Sequence, residues 1–207
     1  MAMHVWRERL GRWLDPLARR IPLSPNAISL IALGLNLVAA VLLFNGKQWP
    51  AAFLVAIGFV IVAGLADALD GIVARVRGKT TRFGDFLDHS ADRLSDTLLA
   101  ICWLVGSGVR ESLVIAAVTG VMLNGYVGTQ IEATFHERNY DSVGRGEFVL
   151  ALVVYPIASY ILFTNGWSAL RFAGLSVADC LAALMALFAL LGIVQRCALA
   201  LRLEQRP

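Results

Sequence analysis

Charge is scarce in this sequence. Only 16% of its 207 residues are Asp, Glu, Lys or Arg, 58% are hydrophobic, and the mean hydropathy is +0.69. A water-soluble domain of this length cannot hide so much apolar surface, so a polytopic membrane protein is implied. Cysteine is nearly absent as well. Cys102, Cys180 and Cys197 lie in apolar segments without metal-ligand spacing, which argues against a disulfide framework or a zinc site and leaves packing as their role. Neither sign of charge dominates: the formal net charge is +3, and its placement says more than its size. No nucleic-acid partner is expected. No internal repeat, low-complexity segment or second domain is visible, so residues 1–207 are expected to form one membrane domain. A cleavable signal peptide is not expected either, because the first apolar run begins only after about two dozen residues and lacks a small-residue cleavage pattern.

Against this apolar background one stretch is acidic. Between Asp67 and Asp92 the chain reads DALDGIVARVRGKTTRFGDFLDHSAD. Asp67 and Asp70 are three apart and Asp88 and Asp92 four apart, so each pair shares one face of a helix. Gly71 and Gly84 lie between the pairs, with a basic connector of Arg75, Arg77, Lys79 and Arg82. Carboxylates at a membrane are costly unless something positive meets them. Four converging acids need more than nearby arginines, and hard divalent cations bound through oxygen supply it. Glycines let a bulky anion approach the backbone, and arginines meet phosphate. The residues point to metal-dependent phosphate chemistry at a membrane edge.

Asp67, Asp70, Gly71, Ala74, Arg75, Gly84, Asp88 and Asp92 stand in the order D-x2-D-G-x2-A-R-x8-G-x3-D-x3-D. This resembles the signature of the CDP-alcohol phosphotransferases, integral membrane enzymes of phospholipid synthesis, with no position missing and no spacer altered. The resemblance implies that Asp67, Asp70, Asp88 and Asp92 hold Mg²⁺ or Mn²⁺, with Asp92 also the base that takes the acceptor proton. It implies a nucleotide site of Asp67, Asp70, Gly71, Ala74, Arg75 and Gly84. The reaction implied is attack of an acceptor hydroxyl on the lipid-side phosphorus of a CDP-linked lipid, with CMP expelled. Asp85 and Asp96 extend the acidic stripe outside the motif, and Arg93 reads as a structural ion partner. His89 is expected to point off the acids' face and to leave the metal to oxygen ligands.

Taken in order, residues 1–22 suit an amphipathic interfacial helix, with Trp6, Leu10, Trp13, Leu14 and Leu17 at helical spacing among arginines. Pro22 and Pro25 break that helix, and Ser24 can cap the next. Pro25-Asn26 extends the resemblance, since the family commonly enters its first span through such a pair. Six spans follow, about residues 27–44, 51–76, 84–106, 111–135, 147–164 and 175–199, within a membrane bundle covering 27–203. The expected fold is therefore an all-α bundle. Lys and Arg concentrate before the first span, between Arg75 and Arg82, at Arg138 and Arg145, and in the tail, whereas the other side has Lys47, Arg110 and Arg171. Both termini and the acidic stretch are thus expected at the cytoplasmic face.

The leading expectation is a phosphatidyltransferase of the cell membrane, using CDP-diacylglycerol or CDP-archaeol and a small polar alcohol such as inositol phosphate or glycerol phosphate. A second copy in a homodimer is the expected protein partner. The alternative within the family is transfer of a phospho-headgroup from a CDP-alcohol to a lipid acceptor; outside it, a cation transporter using the same acids. Family members that use phosphorylated acceptors often carry a basic residue on the fourth helix, whereas residues 128–132 here have none. Arg138 and Arg145, next to Gly144 and Gly146, are the candidates for meeting an acceptor phosphate.

Overall fold

The computed structural model describes residues 16, 18, 20–78, 80–136 and 145–205. Among these the chain is all-α apart from one small hairpin, as expected. Pro16, Ala18 and Arg20 are helical; the remainder of the expected interfacial helix before Arg20, and Lys79 of the basic connector, lie outside the described residues. Six long helices follow: α1 (Pro25–Phe44), α2 (Ala51–Val76), α3 (Arg82–Gly106), α4 (Glu111–Phe135), α5 (Arg145–Thr164) and α6 (Val177–Glu204). Each overlaps one expected span. The largest difference is in α6, which runs on to Glu204 instead of stopping near residue 199.

Four of these helices, α1, α2, α4 and α6, are long and apolar enough to cross a membrane, which makes this an integral membrane protein. Asp85, Asp88, Asp92, Arg93 and Asp96 crowd the first two thirds of α3, and among the described residues the apolar part of α5 is Leu150–Thr164. Length and composition therefore support four crossings by themselves; six would need α3 and α5 as well.

The helix ends follow local chemistry. The Ser24 hydroxyl accepts from Ala27 N at 3.2 Å, so Pro25 enters α1 as a first-turn residue whose missing N–H costs nothing. At the other end Asn45 donates its side-chain amide to Val41 O at 2.7 Å. Pro50 precedes α2 and accepts from Phe53 N at 3.1 Å. At the start of α3, Thr81 Oγ1 accepts from Gly84 N at 3.0 Å, a side-chain cap. Between α5 and α6 lie a short 3-10 turn (Trp167–Ala169) and a hairpin of β1 (Arg171–Phe172) with β2 (Leu175–Ser176). The hairpin's two turn residues, Ala173 (φ 49°) and Gly174 (φ 79°), are both left-handed, as a two-residue primed turn requires.

The chain divides into two compact units. One comprises the chain up to Ala39 with Gly58–Ser95; the other comprises Ala40–Ile57 with the chain from Asp96 onward. In the first, Ala18, Ile28, Ile72 and Val73 are buried together. Arg77 ties the segment before α1 to the end of α2, its guanidinium donating to Leu23 O at 2.8 Å and also to Ile21 O.

In the second unit α4 lies alongside α6. The buried indole of Trp103 donates to Ser159 Oγ at 3.0 Å, and Ser107 Oγ lies 3.0 Å from the same hydroxyl. Gly106 sits against the Leu43 carbonyl so closely that any side chain there would collide with backbone. Buried Asp179 ties the start of α6 to the residue before α4. Its carboxylate accepts from Arg110 N and Ser176 N, both at 2.9 Å, and pairs with Arg110 Nε at 3.4 Å, while Ser176 Oγ caps α6. Arg196 of α6 reaches the Asn124 carbonyl across Gly128 of α4. The three cysteines are free, as expected; Cys102 is half-buried and the others are exposed.

Candidate active site

The first unit contains all four motif aspartates. Asp67 and Asp70 come from the second half of α2, Asp88 and Asp92 from the first turns of α3. The turn between these helices is short and held by backbone bonds, Arg77 N to Val73 O at 3.1 Å and Gly78 N to Arg75 O at 3.2 Å, with Gly78 left-handed at φ 60°. Folding α3 back at this point brings carboxylates from the two helices together. Oxygens of Asp67, Asp70 and Asp88 lie within 4.8 Å of one another. Donor atoms of Asp88, His89 and Asp92 form a second group within the same distance, so Asp88 belongs to both.

Burial is graded across the cluster. Asp70 and Asp92 are buried, whereas Asp67 and Asp88 are half-buried and reachable by a ligand. Asp67, Asp92, Arg93 and Asp96 are each engaged in an interaction. Asp85 is exposed and lies 3.7 Å from His89 Nε2. The placement of His89 is a correction. Adjacent helical residues diverge by about 100°, which put His89 off the acids' face, yet its ring has the reach to bring a nitrogen back to Asp88 and Asp92.

The donor set suits a hard divalent cation. Two oxygens on opposite sides of one Mg²⁺ at about 2.1 Å would be about 4.2 Å apart. Three carboxylate oxygens within 4.8 Å of one another are thus close to the spacing of a shared ion before any ion draws them in. All-oxygen donors match Mg²⁺ or Mn²⁺ better than a softer metal.

The small motif residues leave space beside the acids. A Cβ on Gly71 would meet only Arg75 Nη1, at 3.7 Å, so the open side of this glycine faces a guanidinium. Ala74 is half-buried and Arg75 exposed. Gly84 is tighter: a Cβ there would lie 3.1 Å from Thr81 Oγ1 and 3.4 Å from Asn26 Oδ1. The start of α1 therefore borders the motif. Ser29, one turn further along α1, is also part of the site: its buried hydroxyl donates to Asp70 Oδ2 at 2.5 Å. The sequence reading noted Pro25-Asn26 and passed over Ser29. The available signal was a pair of polar residues, Asn26 and Ser29, at helical spacing in a helix whose one other polar side chain is Asn36. Arg138 and the side chain of Arg145 lie outside the described residues.

The family model for CDP-alcohol phosphatidyltransferase matches residues 22–190. The chain is similar to a phosphatidylinositol phosphate synthase of Mycobacterium marinum, 38% identical over 133 residues, which are 61% of this chain and 55% of that protein. It is similar to an archaetidylinositol phosphate synthase of Methanothermobacter thermautotrophicus, 31% identical over 162 residues, 77% of this chain and 80% of that protein. The match thus spans little more than half the length of the first relative and four fifths of the second. Among solved structures, the phosphatidylinositol phosphate synthase of Mycobacterium tuberculosis in apo form is 27% identical, with a TM-score of 0.64 over 88% of this chain and 93% of that one. The same enzyme in complex with manganese and citrate shares the fold at a TM-score of 0.67 and 24% identity, over 89% and 87% of the two chains.

Proposed function

The chain belongs to the CDP-alcohol phosphatidyltransferase family, and we propose that it transfers a phosphatidyl-type group from a CDP-linked lipid to a hydroxyl of inositol phosphate, releasing CMP. The observation that carries this reading is the convergence of Asp67, Asp70 and Asp88 from two helices onto one cation-sized space. Both named relatives make an inositol phosphate lipid, one phosphatidyl and one archaetidyl. CDP-diacylglycerol and CDP-archaeol are both suitable donors, since they share the pyrophosphate and cytidine that the motif would handle.

Asp67, Asp70, Asp88 and Asp92 would hold Mg²⁺ or Mn²⁺, which when bound neutralises charge on the pyrophosphate and on the departing CMP. The chain's own residues do the rest. Gly71 and Ala74 admit the nucleotide beside α2, and the exposed Arg75 guanidinium meets its phosphates. Gly84 lets the chain approach without a side chain between Thr81 and Asn26. Asp92 accepts the proton from the acceptor hydroxyl as that oxygen bonds to the lipid-side phosphorus and the bond to CMP breaks. The phosphate of the acceptor brings about two negative charges, for which Arg138 and Arg145 are the proposed cations.

The distribution of Lys and Arg supports a cytoplasmic site and cytoplasmic termini, the side on which CDP-linked donors occur. The test of the acceptor is a panel of inositol phosphate, glycerol phosphate, inositol and serine, offered with CDP-diacylglycerol to purified protein and resolved by mass spectrometry of the lipid product. A phosphatidylinositol phosphate mass is expected. A product with only another headgroup would replace inositol phosphate in this reading.

A further inference from the structure

We propose that Ser29 is a positioning residue of the metal site, fixing the carboxylate of Asp70 through its hydroxyl; this rests on the metal reading above. A serine inside a helix ordinarily turns its hydroxyl back to the carbonyl four residues earlier. That option is present here, with Pro25 O at 3.2 Å from Ser29 Oγ, but Asp70 Oδ2 is much closer at 2.5 Å. A hydroxyl has one proton to give. Bonds of the O–H···O⁻ type run at about 2.5–2.7 Å and are about twice as strong as neutral ones, so the proton goes to the carboxylate.

The surroundings make this bond selective. Ser29 is 8% exposed and Asp70 7%, so water is a poor substitute for either partner. Their helices are held in register by two independent ties. Arg77 at the end of α2 binds the carbonyls of Ile21 and Leu23 just before α1, and Ile28 packs against Ile72 and Val73. Ser29 thus meets Asp70 from a fixed helix and not from a mobile loop. With Oδ2 engaged, Oδ1 of Asp70 stays free of the hydroxyl and the carboxylate plane is set before an ion arrives. Groups that orient a metal ligand in this way typically contribute about 10- to 100-fold in metal affinity.

The test is Mn²⁺ binding to purified, detergent-solubilised protein without substrate, read by the loss of the free-Mn²⁺ electron paramagnetic resonance signal. Wild-type protein, Ser29→Ala, Ser29→Thr and Ser29→Cys are compared, with thermal unfolding confirming that each is folded. Ser29→Ala is expected to raise the Mn²⁺ Kd at least about tenfold, and Ser29→Thr, which keeps the hydroxyl, to restore it. Ser29→Cys keeps the size and donates weakly, so it should behave like the alanine variant; it decides the matter should Ser29→Ala not fold. A wild-type Kd in Ser29→Ala, or in Ser29→Cys in its place, overturns the proposal, as does a Ser29→Thr Kd as poor as that of alanine. If wild-type protein itself binds no Mn²⁺, the metal reading fails, which is a different result from equal binding by wild type and variant.

Discussion

Asp67 on α2 and Asp88 on α3 bring carboxylate oxygens within 4.8 Å of each other. Two like charges at that distance repel, and a divalent cation shared between them would relieve that repulsion. Asp88 also stands with His89 and Asp92, so it is the point where the two groups of donors meet. The reaction proposed for the chain follows from that junction, with Asp92 at its more buried end.

Asp92→Asn separates the base from the ligands. The amide cannot take a proton, so turnover should fall by about 100-fold or more, the range of general-base contributions, while the KM for CDP-lipid changes far less. Equal losses in both constants would make Asp92 a metal ligand only.

Gly71→Ala should divide stability from function. In the absence of ligand the new methyl meets nothing closer than Arg75 Nη1 at 3.7 Å. Alanine is favoured over glycine inside a helix by about 0.5–1 kcal/mol, so thermal stability should hold or rise. The same methyl fills the open side beside Arg75, and the KM for the CDP-lipid should increase. A variant with an unaltered donor KM would show that the nucleotide does not approach this glycine.

Much of this site was legible in the sequence because helical spacing alone put Asp67 with Asp70 and Asp88 with Asp92 on common faces. The ends of α1, α2 and α3 were legible for a similar reason, being marked by Ser24-Pro25, Asn45-Gly46 and Trp49-Pro50, and by the polar connector before Arg82. Ser29 was not. A lone hydroxyl in an apolar helix has its own carbonyl to bond to, and nothing local announces a partner 41 residues away. His89 was misplaced because a helical wheel fixes the direction of Cβ and not the reach of an imidazole. The role of Asp179 was hidden too, since its partner Arg110 lies 69 residues earlier and only the short Ser176–Asp179 spacing is local.

Asp179→Ala removes a buried acceptor from two backbone N–H groups and an arginine. Leaving buried donors unsatisfied costs about 1–3 kcal/mol. Thermal unfolding in detergent should therefore shift down by several degrees. An unchanged midpoint would mean that water replaces the carboxylate at this end of the molecule.

Orientation can be read with cysteines. In a background lacking Cys102, Cys180 and Cys197, single cysteines at Thr80 and at Lys47, both exposed, should label from opposite faces of the membrane, with Thr80 on the cytoplasmic side. Labelling of both from one face would remove α2 as a crossing and the cytoplasmic site with it.

The most direct measurement is CMP release by the purified protein supplied with CDP-diacylglycerol, inositol phosphate and Mn²⁺. CMP should appear only when all three are present, and Asp88→Asn, folded and inserted, should lower the rate by more than about 100-fold, since a direct ligand matters more than the groups that orient it. CMP release by Asp88→Asn at the wild-type rate, or by wild-type protein in the presence of excess chelator, would contradict the metal-dependent transfer on which the whole account depends.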